Sequence, residues 1–176
     1  MRKLAARLGV DPMAIYHHLK NKSAVIEYVL QSMLSECTLP KPSGDWQKDC
    51  RNLCAELRIL AKRHPGCFQL YETYEEWLPA EHRLHEAFHM VMLESGLSPR
   101  KSVQAVRVLL AYTESFAVDE ISGWLEPENK TDLAQSLADG PYPVMISLLD
   151  EIGTRDADAD FEFGLSVLLH GLKAQI

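Results

Sequence analysis

Apolar side chains in this sequence recur at intervals of three and four residues over almost its whole length. The clearest stripe comprises Trp46, Cys50, Leu53, Cys54, Leu57, Leu60 and Ala61. This spacing is typical of helices that bury one face, because a turn takes 3.6 residues. Sustained alternation of apolar and polar residues, which a half-buried strand requires, does not occur. The sequence therefore predicts an all-α fold.

Glycine and proline divide this pattern into segments. Predicted helices cover residues 2–8, 12–19, 23–37, 46–63, 68–77, 80–95, 99–125, 142–152 and 158–173, and Asp11, Ser23 and Ser98 are predicted or possible N-caps. The polar stretch 126–140 is predicted to be a loop that has room for a short helix near Leu133. The strongest break, Pro40-Lys41-Pro42-Ser43-Gly44, predicts a boundary between a small head, residues 1–40, and a larger helical body, residues 43–176.

Charge is unevenly distributed between these two parts. The net charge of −7 combines a +4 segment, residues 1–22, with a remainder that carries −11. A basic end on an acidic body is typical of a protein that binds nucleic acid through that end. A solvated basic terminus without a partner gives the same pattern.

Composition further narrows the class of protein to which this chain can belong. No apolar run approaches the roughly 18–20 residues that span a membrane, and the N-terminus lacks the apolar stretch of a secretory signal. We therefore expect a cytoplasmic protein without a membrane partner. Cys37, Cys50, Cys54 and Cys67 form neither a CxxC pair nor a zinc-ligand spacing, so we expect free thiols and no metal or other cofactor.

Residues 2–22 have the pattern of a helix-turn-helix. Leu4, Ala5, Leu8, Val10, Ile15 and Leu19 can turn inward together, and Gly9 supplies the turn between two short helices. The second helix would then present outward residues to the major groove of DNA, namely Met13, Ala14, Tyr16, His17 and His18.

The segment LAxxLGVxxxxxYxHxKNK, continuing into SAVIEYVLQSML, resembles the helix-turn-helix of the tetracycline-repressor (TetR) family. The C-terminal segment FEFGLSVLLHGLKAQI resembles the last helix of members of the tetracycline-repressor branch. The resemblance implies a ligand-responsive transcriptional repressor rather than an enzyme, with a homodimeric body and operator DNA as a partner. Members of this family carry one more helix before the motif, so the sequence is expected to lack the first helix of the head.

The resemblance also implies roles for individual residues of the head. Arg2 would contact the DNA backbone or a base, while Pro12, Met13 and Ala14 would face base edges. Tyr16 and His18 would grip a phosphate or a base, and His17 would lie at the groove wall. Lys22 would anchor a phosphate at the start of the third helix.

The body would bind a small effector and form the dimer. Aromatic residues predict a pocket for an apolar or aromatic effector at Phe68, Tyr71, Tyr74, Phe88, Tyr112 and Phe116, although a plain core explains each of them about as well. At the positions that align with two tetracycline-binding histidines of the family the chain has Thr38 and Leu70, so tetracycline is not the expected effector.

The long helix and the last helix are predicted to form the dimer interface. The residues concerned are Val106, Leu110, Ala117, Gly164, Leu168 and Gly171. Two glycines in one helix would permit a close crossing, but they can equally face a neighbour within the chain.

Other constellations support weaker alternatives. His82, His85 and His89 have a workable metal-ligand spacing but lie beside an apolar stripe, and Cys50 and Cys54 lie on one, so boundary histidines and core thiols are the expectation. Glu75, Glu76 and His82 are the nearest approach to an acid–base group of a helical enzyme. A dimeric sensor that has lost DNA binding is the remaining alternative.

Overall fold

A computed structural model describes residues 1–125, 130–138 and 140–176. Within these residues the secondary structure is helical, and the all-α prediction is confirmed. The helices are α1 Arg2–Leu8, α2 Pro12–His18, α3 Lys22–Ser35, α4 Trp46–Arg63, α5 Pro65–Tyr71, α6 Pro79–Glu94, α7 Pro99–Ile121, α8 Lys130–Leu137, α9 Pro143–Ser147, α10 Leu149–Ile152 and α11 Ala157–Lys173. None of them is long and apolar enough to cross a membrane, as far as the described residues extend.

Local capping explains where most helices begin. Asp11 accepts a hydrogen bond from the amide of Met13 at 2.7 Å, and Pro12 occupies the first helical position, where a missing N–H is harmless. Ser98 and Pro99 start α7 in the same way. The predicted cap at Ser23 is wrong, because Asn21 accepts from the amide of Ala24 at 2.8 Å and the helix begins at Lys22.

Three predicted helices differ from the observed ones by more than two residues or are divided. The helix expected over 68–77 is α5, which starts at Pro65 because proline suits a first helical position, and it ends at Tyr71. Helix α7 ends at Ile121 rather than near Leu125. The helix expected over 142–152 is divided into α9 and α10 at Leu148. Of the predicted polar loop, residues 126–129 and 139 lie outside the described residues, and Leu133 falls within α8.

The core of the body lies between α4, α6 and α7, with α3, α5 and α11 packed around them. Leu57, Phe68, Phe88 and Leu109 are completely buried there. Burial of each such side chain contributes roughly 1.5–3 kcal/mol, which makes this layer the main source of stability.

The head is packed much more lightly than the body. In α1 and α2 only Ala5 is buried, whereas α3 buries Val25, Leu30, Met33 and Leu34 and packs against α5 and α6. Helix α3 therefore joins the head to the body and is itself part of the core.

Candidate functional site

The turn between α1 and α2 has the geometry of a tight helix-turn-helix. Gly9 has a φ of 68° and a ψ of 28°, a left-handed conformation that costs other residues more. The amide of Val10 donates back to the carbonyl of Ala5 at 3.1 Å, which closes the turn. Asp11 then caps α2 immediately, so the two helices are joined by only three residues.

The predicted DNA-contacting residues are available to a partner. None of the seven residues of α2 is buried, and Met13, at 63% exposure, is its most prominent apolar side chain. Arg2, Tyr16, His17, His18 and Lys22 are exposed, while Pro12 and Ala14 are half-buried. Met13, Tyr16 and His17 are spaced three and four apart and therefore share one face of α2.

The six aromatic residues predicted to line one effector pocket do not surround a common space. Phe68 and Phe88 are completely buried in the core. Tyr112 and Phe116 both pack on Phe161 of α11, with ring centroids 5.6 and 5.2 Å from it. Sequence reasoning could not separate core aromatics from lining ones, because both obey the same helical spacing.

The remaining two of the six, Tyr71 and Tyr74, do line a cavity. It has a volume of about 340 Å³ and lies between the end of α5, the start of α6 and the middle of α7. Its ionisable and aromatic lining consists of Tyr71, Glu72, Tyr74, Trp77, Glu81, His85, Arg107 and Glu114. We refer to this space as the α5–α7 cavity.

Several of these lining residues were not predicted as a site. Glu81, Arg107 and Glu114 come from two different helices, and only the fold brings them to Tyr71 and Tyr74. One signal was present in the sequence: Arg107 and Glu114 are charged, seven residues apart, and share a face of a helix with many apolar residues.

Two hydrogen bonds to Glu81 hold part of the lining of the α5–α7 cavity in place. The hydroxyl of Tyr71 donates to Glu81 at 3.2 Å, and the other carboxylate oxygen of Glu81 accepts from the amide of Leu78 at 3.3 Å. Burial, followed by nearby carboxylates, raises the pKa of Tyr71. The side chain of Glu81 therefore holds both the ring of Tyr71 and the first turn of α6 in place.

Glu114 is the unusual group of the cavity. Burial raises its pKa to about 8, and the neighbouring Glu72 and Glu81 add to the effect. Within the described part of the chain its carboxyl group makes neither a hydrogen bond nor an ion pair. Burial likewise lowers the pKa of His85, so the nearest histidine does not supply a positive charge at neutral pH.

The start of α6 also contacts the helix that leads to the head. The amide of Ala80, which is buried, donates to the side-chain oxygen of Gln31 on α3 at 3.0 Å. Ala80 is the neighbour of Glu81, so one turn of α6 touches both the α5–α7 cavity and α3. The first turn of α6 therefore connects the lining of the α5–α7 cavity with α3.

A second cavity, of about 280 Å³, lies against the segment between α3 and α4. Its lining is mostly apolar and includes Leu39, Pro42, Leu53, Met90 and Val91. The carboxylate of Asp49 on its wall is already used, because it accepts from the amide of Ser43 at 2.9 and 3.1 Å.

The predicted interface residues divide into buried and accessible ones. Val106, Leu110 and Ala117 are buried inside the single chain, and Gly164 faces Tyr112, so we correct the assignment of these four residues. Leu168 is half-buried, and a Cβ at Gly171 would meet nothing within 4 Å. The apolar residues that α11 exposes are Phe163, at 74%, and Val167, at 55%.

The histidines on α6 contact an aromatic ring, and the cysteines on α4 lie in the core. Trp77 lies between His82 and His85, with ring centroids 5.4 and 4.9 Å away. Cys50 and Cys54 are buried, and burial raises the pKa of Cys54 to about 11. Across residues 1–125, 130–138 and 140–176, no group of three or more possible ligands is arranged to hold a metal ion. Glu75 and Glu76 are exposed, and no described hydrogen bond links them to His82.

Comparison with known proteins shows which family model and which repressors this chain is similar to. Residues 39–176 match the family model described as the C-terminal domain of tetracycline-repressor-like proteins. The chain is 26% identical to the HTH-type transcriptional repressor DrrR1 of Streptomyces coeruleorubidus, over all of this chain and 70% of that protein. It is 27% identical to the class A tetracycline repressor protein from transposon 1721 in Escherichia coli, over 97% of this chain and 79% of that protein.

Solved structures agree with the observed architecture. The TetR family protein ActR of Streptomyces coelicolor, in complex with actinorhodin, superposes with a TM-score of 0.82 at 23% identity. The superposition covers 99% of this chain and 86% of ActR. At this level of identity the likeness demonstrates a shared fold.

Proposed function

Because the chain belongs to the tetracycline-repressor (TetR) family of transcriptional regulators, we propose that it is a repressor that binds operator DNA as a homodimer and is released by a small-molecule effector. The observation that carries the proposal is the exposed helix α2, held by Gly9 and Asp11 in a helix-turn-helix and attached through α3 to a body with a cavity. The related repressors, which match nearly the whole chain, support the same function.

In this proposal α2 enters the major groove. Met13 and His17 share a face that can meet base edges, with Ala14 beside them. Lys22 lies at the first position of α3, where the free amides of the helix start also attract phosphate. Phosphate contacts would position the head, and contacts to bases would provide sequence preference.

We propose that the dimer forms through α7 and α11, which would pair with their counterparts in a four-helix bundle. Phe163, Val167 and Gly171 follow each other at intervals of four, so they lie on one face of α11. Val103 and Val108 are exposed apolar residues of α7. An apolar surface of this kind on two long helices is typical of a protein–protein interface.

We propose the α5–α7 cavity as the effector site, with Tyr71 and Tyr74 as two of its walls. An effector that binds one dimer shape better than the other shifts the population toward that shape. The two α2 helices fit one face of DNA only when their separation is close to one helical turn, roughly 34–36 Å. Movement of the first turn of α6 would reach the heads through Gln31 and α3.

An electrophoretic mobility shift assay tests the proposal, with DNA fragments that flank the gene of this protein. The wild type should bind at least one such fragment tightly and unrelated DNA weakly. Lys22→Ala should weaken binding, whereas Arg100→Ala, a change of a basic residue in the first turn of α7, serves as a matched control and should not. A dimer that binds none of these fragments would favour the alternative, a sensor without DNA binding.

A further inference from the structure

The α5–α7 cavity has a charge that is unusual for a site expected to take an apolar effector. Three carboxyl groups, those of Glu72, Glu81 and Glu114, line it from three sides, and Arg107 is the one lining group with a permanent positive charge among the described residues. Exposed Arg107 lies two turns away from Glu114 along α7. A cavity with this lining disfavours anions and favours cations.

Aromatic rings also line the cavity. Tyr71, Tyr74 and Trp77 come from the end of α5 and the segment that follows it. Aromatic faces attract ammonium groups, most strongly where water is excluded. Carboxylates beside aromatic rings therefore complement an apolar molecule that carries a positive charge.

Glu114 distinguishes this cavity from a merely acidic surface. Glu81 accepts hydrogen bonds from Tyr71 and from the backbone, so both of its carboxyl oxygens already have partners. Glu114 has no such partner in the described part of the chain, although its side chain is half-buried. Its raised pKa, about 8, means that the empty cavity holds it mainly as a neutral acid at pH 7.

We propose that the effector of the α5–α7 cavity is an organic cation, an ammonium group on an apolar frame, which binds against the carboxylate of Glu114 between the rings of Tyr71 and Tyr74. This inference rests on the proposed function, because it names the chemistry of the effector. Binding of the cation favours the ionised form of Glu114, so a proton leaves that carboxyl group when the cation enters.

Other titratable groups face the same space and bear on this pH dependence. They are Glu72 at the C-cap of α5, Glu81 and His85 on α6, and Arg107 on α7. Glu27 of α3 and Glu76 act on Tyr74 from outside the cavity. His85 remains neutral above pH 6.5, because burial holds its pKa below that value. Burial also raises the pKa of Glu72, in the same direction as that of Glu114.

Three probes of one shape test the proposal by direct binding to the purified dimer, and binding is measured by calorimetry and by tryptophan fluorescence. Benzyltrimethylammonium is the cation, neopentylbenzene its neutral isostere and phenylmethanesulfonate an anion of similar size. At pH 8 the cation should bind about tenfold or more tightly than the neutral probe, and the anion should not bind. The affinity for the cation should rise roughly five- to tenfold from pH 6.5 to 7.5, because Glu114 becomes ionised over this range while the charge of the cation stays constant.

Glu114→Gln keeps the shape of the side chain and removes its charge. This variant should lose about tenfold or more of the cation affinity at pH 8 and most of the pH dependence, while it binds the neutral probe as before. Glu94→Gln, an exposed change on α6, is the matched control. Because Glu114→Gln removes a poorly solvated carboxyl group, it should unfold at a higher temperature than the wild type at pH 8, which confirms that it folds.

Equal affinity for the cation and the neutral probe, absence of cation binding at millimolar concentration, or full pH dependence in Glu114→Gln would each overturn the proposal. These results are independent of DNA. If the cation binds as expected but the mobility shift shows no effect on any DNA complex, the proposed repressor function is wrong instead.

Discussion

The phenol ring of Tyr112 on α7 lies directly against the backbone of Gly164 on α11. Its hydroxyl donates to the carbonyl of Phe161 at 2.8 Å, and a Cβ added at Gly164 would lie 2.6 Å from Cζ of the ring. Carbon atoms do not approach this closely without a shift of the ring or of the helix. The absence of a side chain at Gly164 is therefore what allows α11 to pack on α7.

Gly164→Ala should consequently lower the free energy of unfolding by about 1–3 kcal/mol, the usual cost of overpacking. Gly66→Ala, in the first turn of α5 and outside the proposed dimer interface, should instead leave the free energy of unfolding unchanged or raise it by up to roughly 1 kcal/mol, because alanine favours the helix and nothing lies within 4 Å of the new methyl group. Urea denaturation at one protein concentration measures both. Equal changes in the two variants would show that the contact with Tyr112 does not matter.

Phe163→Asp should weaken the dimer by about thirtyfold or more, since an exposed aromatic residue on an apolar face is expected to be an interface anchor. Sedimentation analysis over a dilution series measures the dissociation constant. Leu93→Asp, at a residue of α6 with comparable apolar exposure, should leave it unchanged. A wild-type protein that is monomeric at micromolar concentration would remove this interface altogether.

The ion pair between α4 and α7 predicts a loss of stability in acid. Burial alone would raise the pKa of Glu120. Hydrogen bonds from Arg58 and Lys62 outweigh this effect and hold the pKa below its ordinary value of 4.5. Two of these bonds come from Arg58, each at 2.6 Å. Its stabilising effect is therefore present above pH 4.5 and is lost as the pH falls further. Thermal unfolding from pH 7 to 3 should change less steeply in Glu120→Gln than in the wild type. Identical slopes would contradict the assignment.

Gln31→Leu should uncouple the effector from DNA. The change removes the acceptor for the amide of Ala80 but does not touch the α5–α7 cavity, so effector affinity should stay within about twofold. The effect of the effector on DNA affinity should shrink by about five- to tenfold. Gln31→Glu keeps an acceptor oxygen and is the matched control. Titration of labelled operator DNA with and without effector measures the difference, and equal coupling in all three proteins would exclude this route.

Lys22→Ala and Met13→Ala should affect DNA binding differently. Loss of a phosphate contact at Lys22 should weaken binding to all sequences and lower the salt dependence by about one unit. Loss of Met13 should alter the preference among base pairs and leave non-specific binding largely unchanged. Binding across a library of operator variants at two salt concentrations separates the two effects. A uniform loss in Met13→Ala would show that this residue does not read bases.

The helices were largely predictable because their ends carry local signals. The sequence predicted the bounds of α1 and α4, and it predicted the starts of α2 and α7 from Asp11-Pro12 and Ser98-Pro99. Errors occurred where two local signals compete, as between Asn21 and Ser23 at the start of α3. The break at Leu148 has no glycine or proline at the position itself, so no local signal predicts it.

The candidate effector site was predictable only in part. Tyr71 and Tyr74 were identified by their aromatic character, but Phe68 and Phe88 have the same character and are core residues. The pKa of Glu114 is raised mainly by burial and further by Glu72 and Glu81, and the residues responsible come from other segments of the chain. Properties that arise from such long-range packing cannot be read from spacing along one helix.

The link between head and body also limits how such proteins can be recombined. Asp49, which is buried in α4, accepts from the amide of Ser43, so the segment that follows α3 is fastened to the body. Because the donor is a backbone amide, a chimera that exchanges heads between relatives keeps this contact only if it has a carboxylate at position 49, a residue other than proline at position 43 and the same number of residues between them. A chimera without that carboxylate would lose the acceptor that holds the start of the connecting segment against α4.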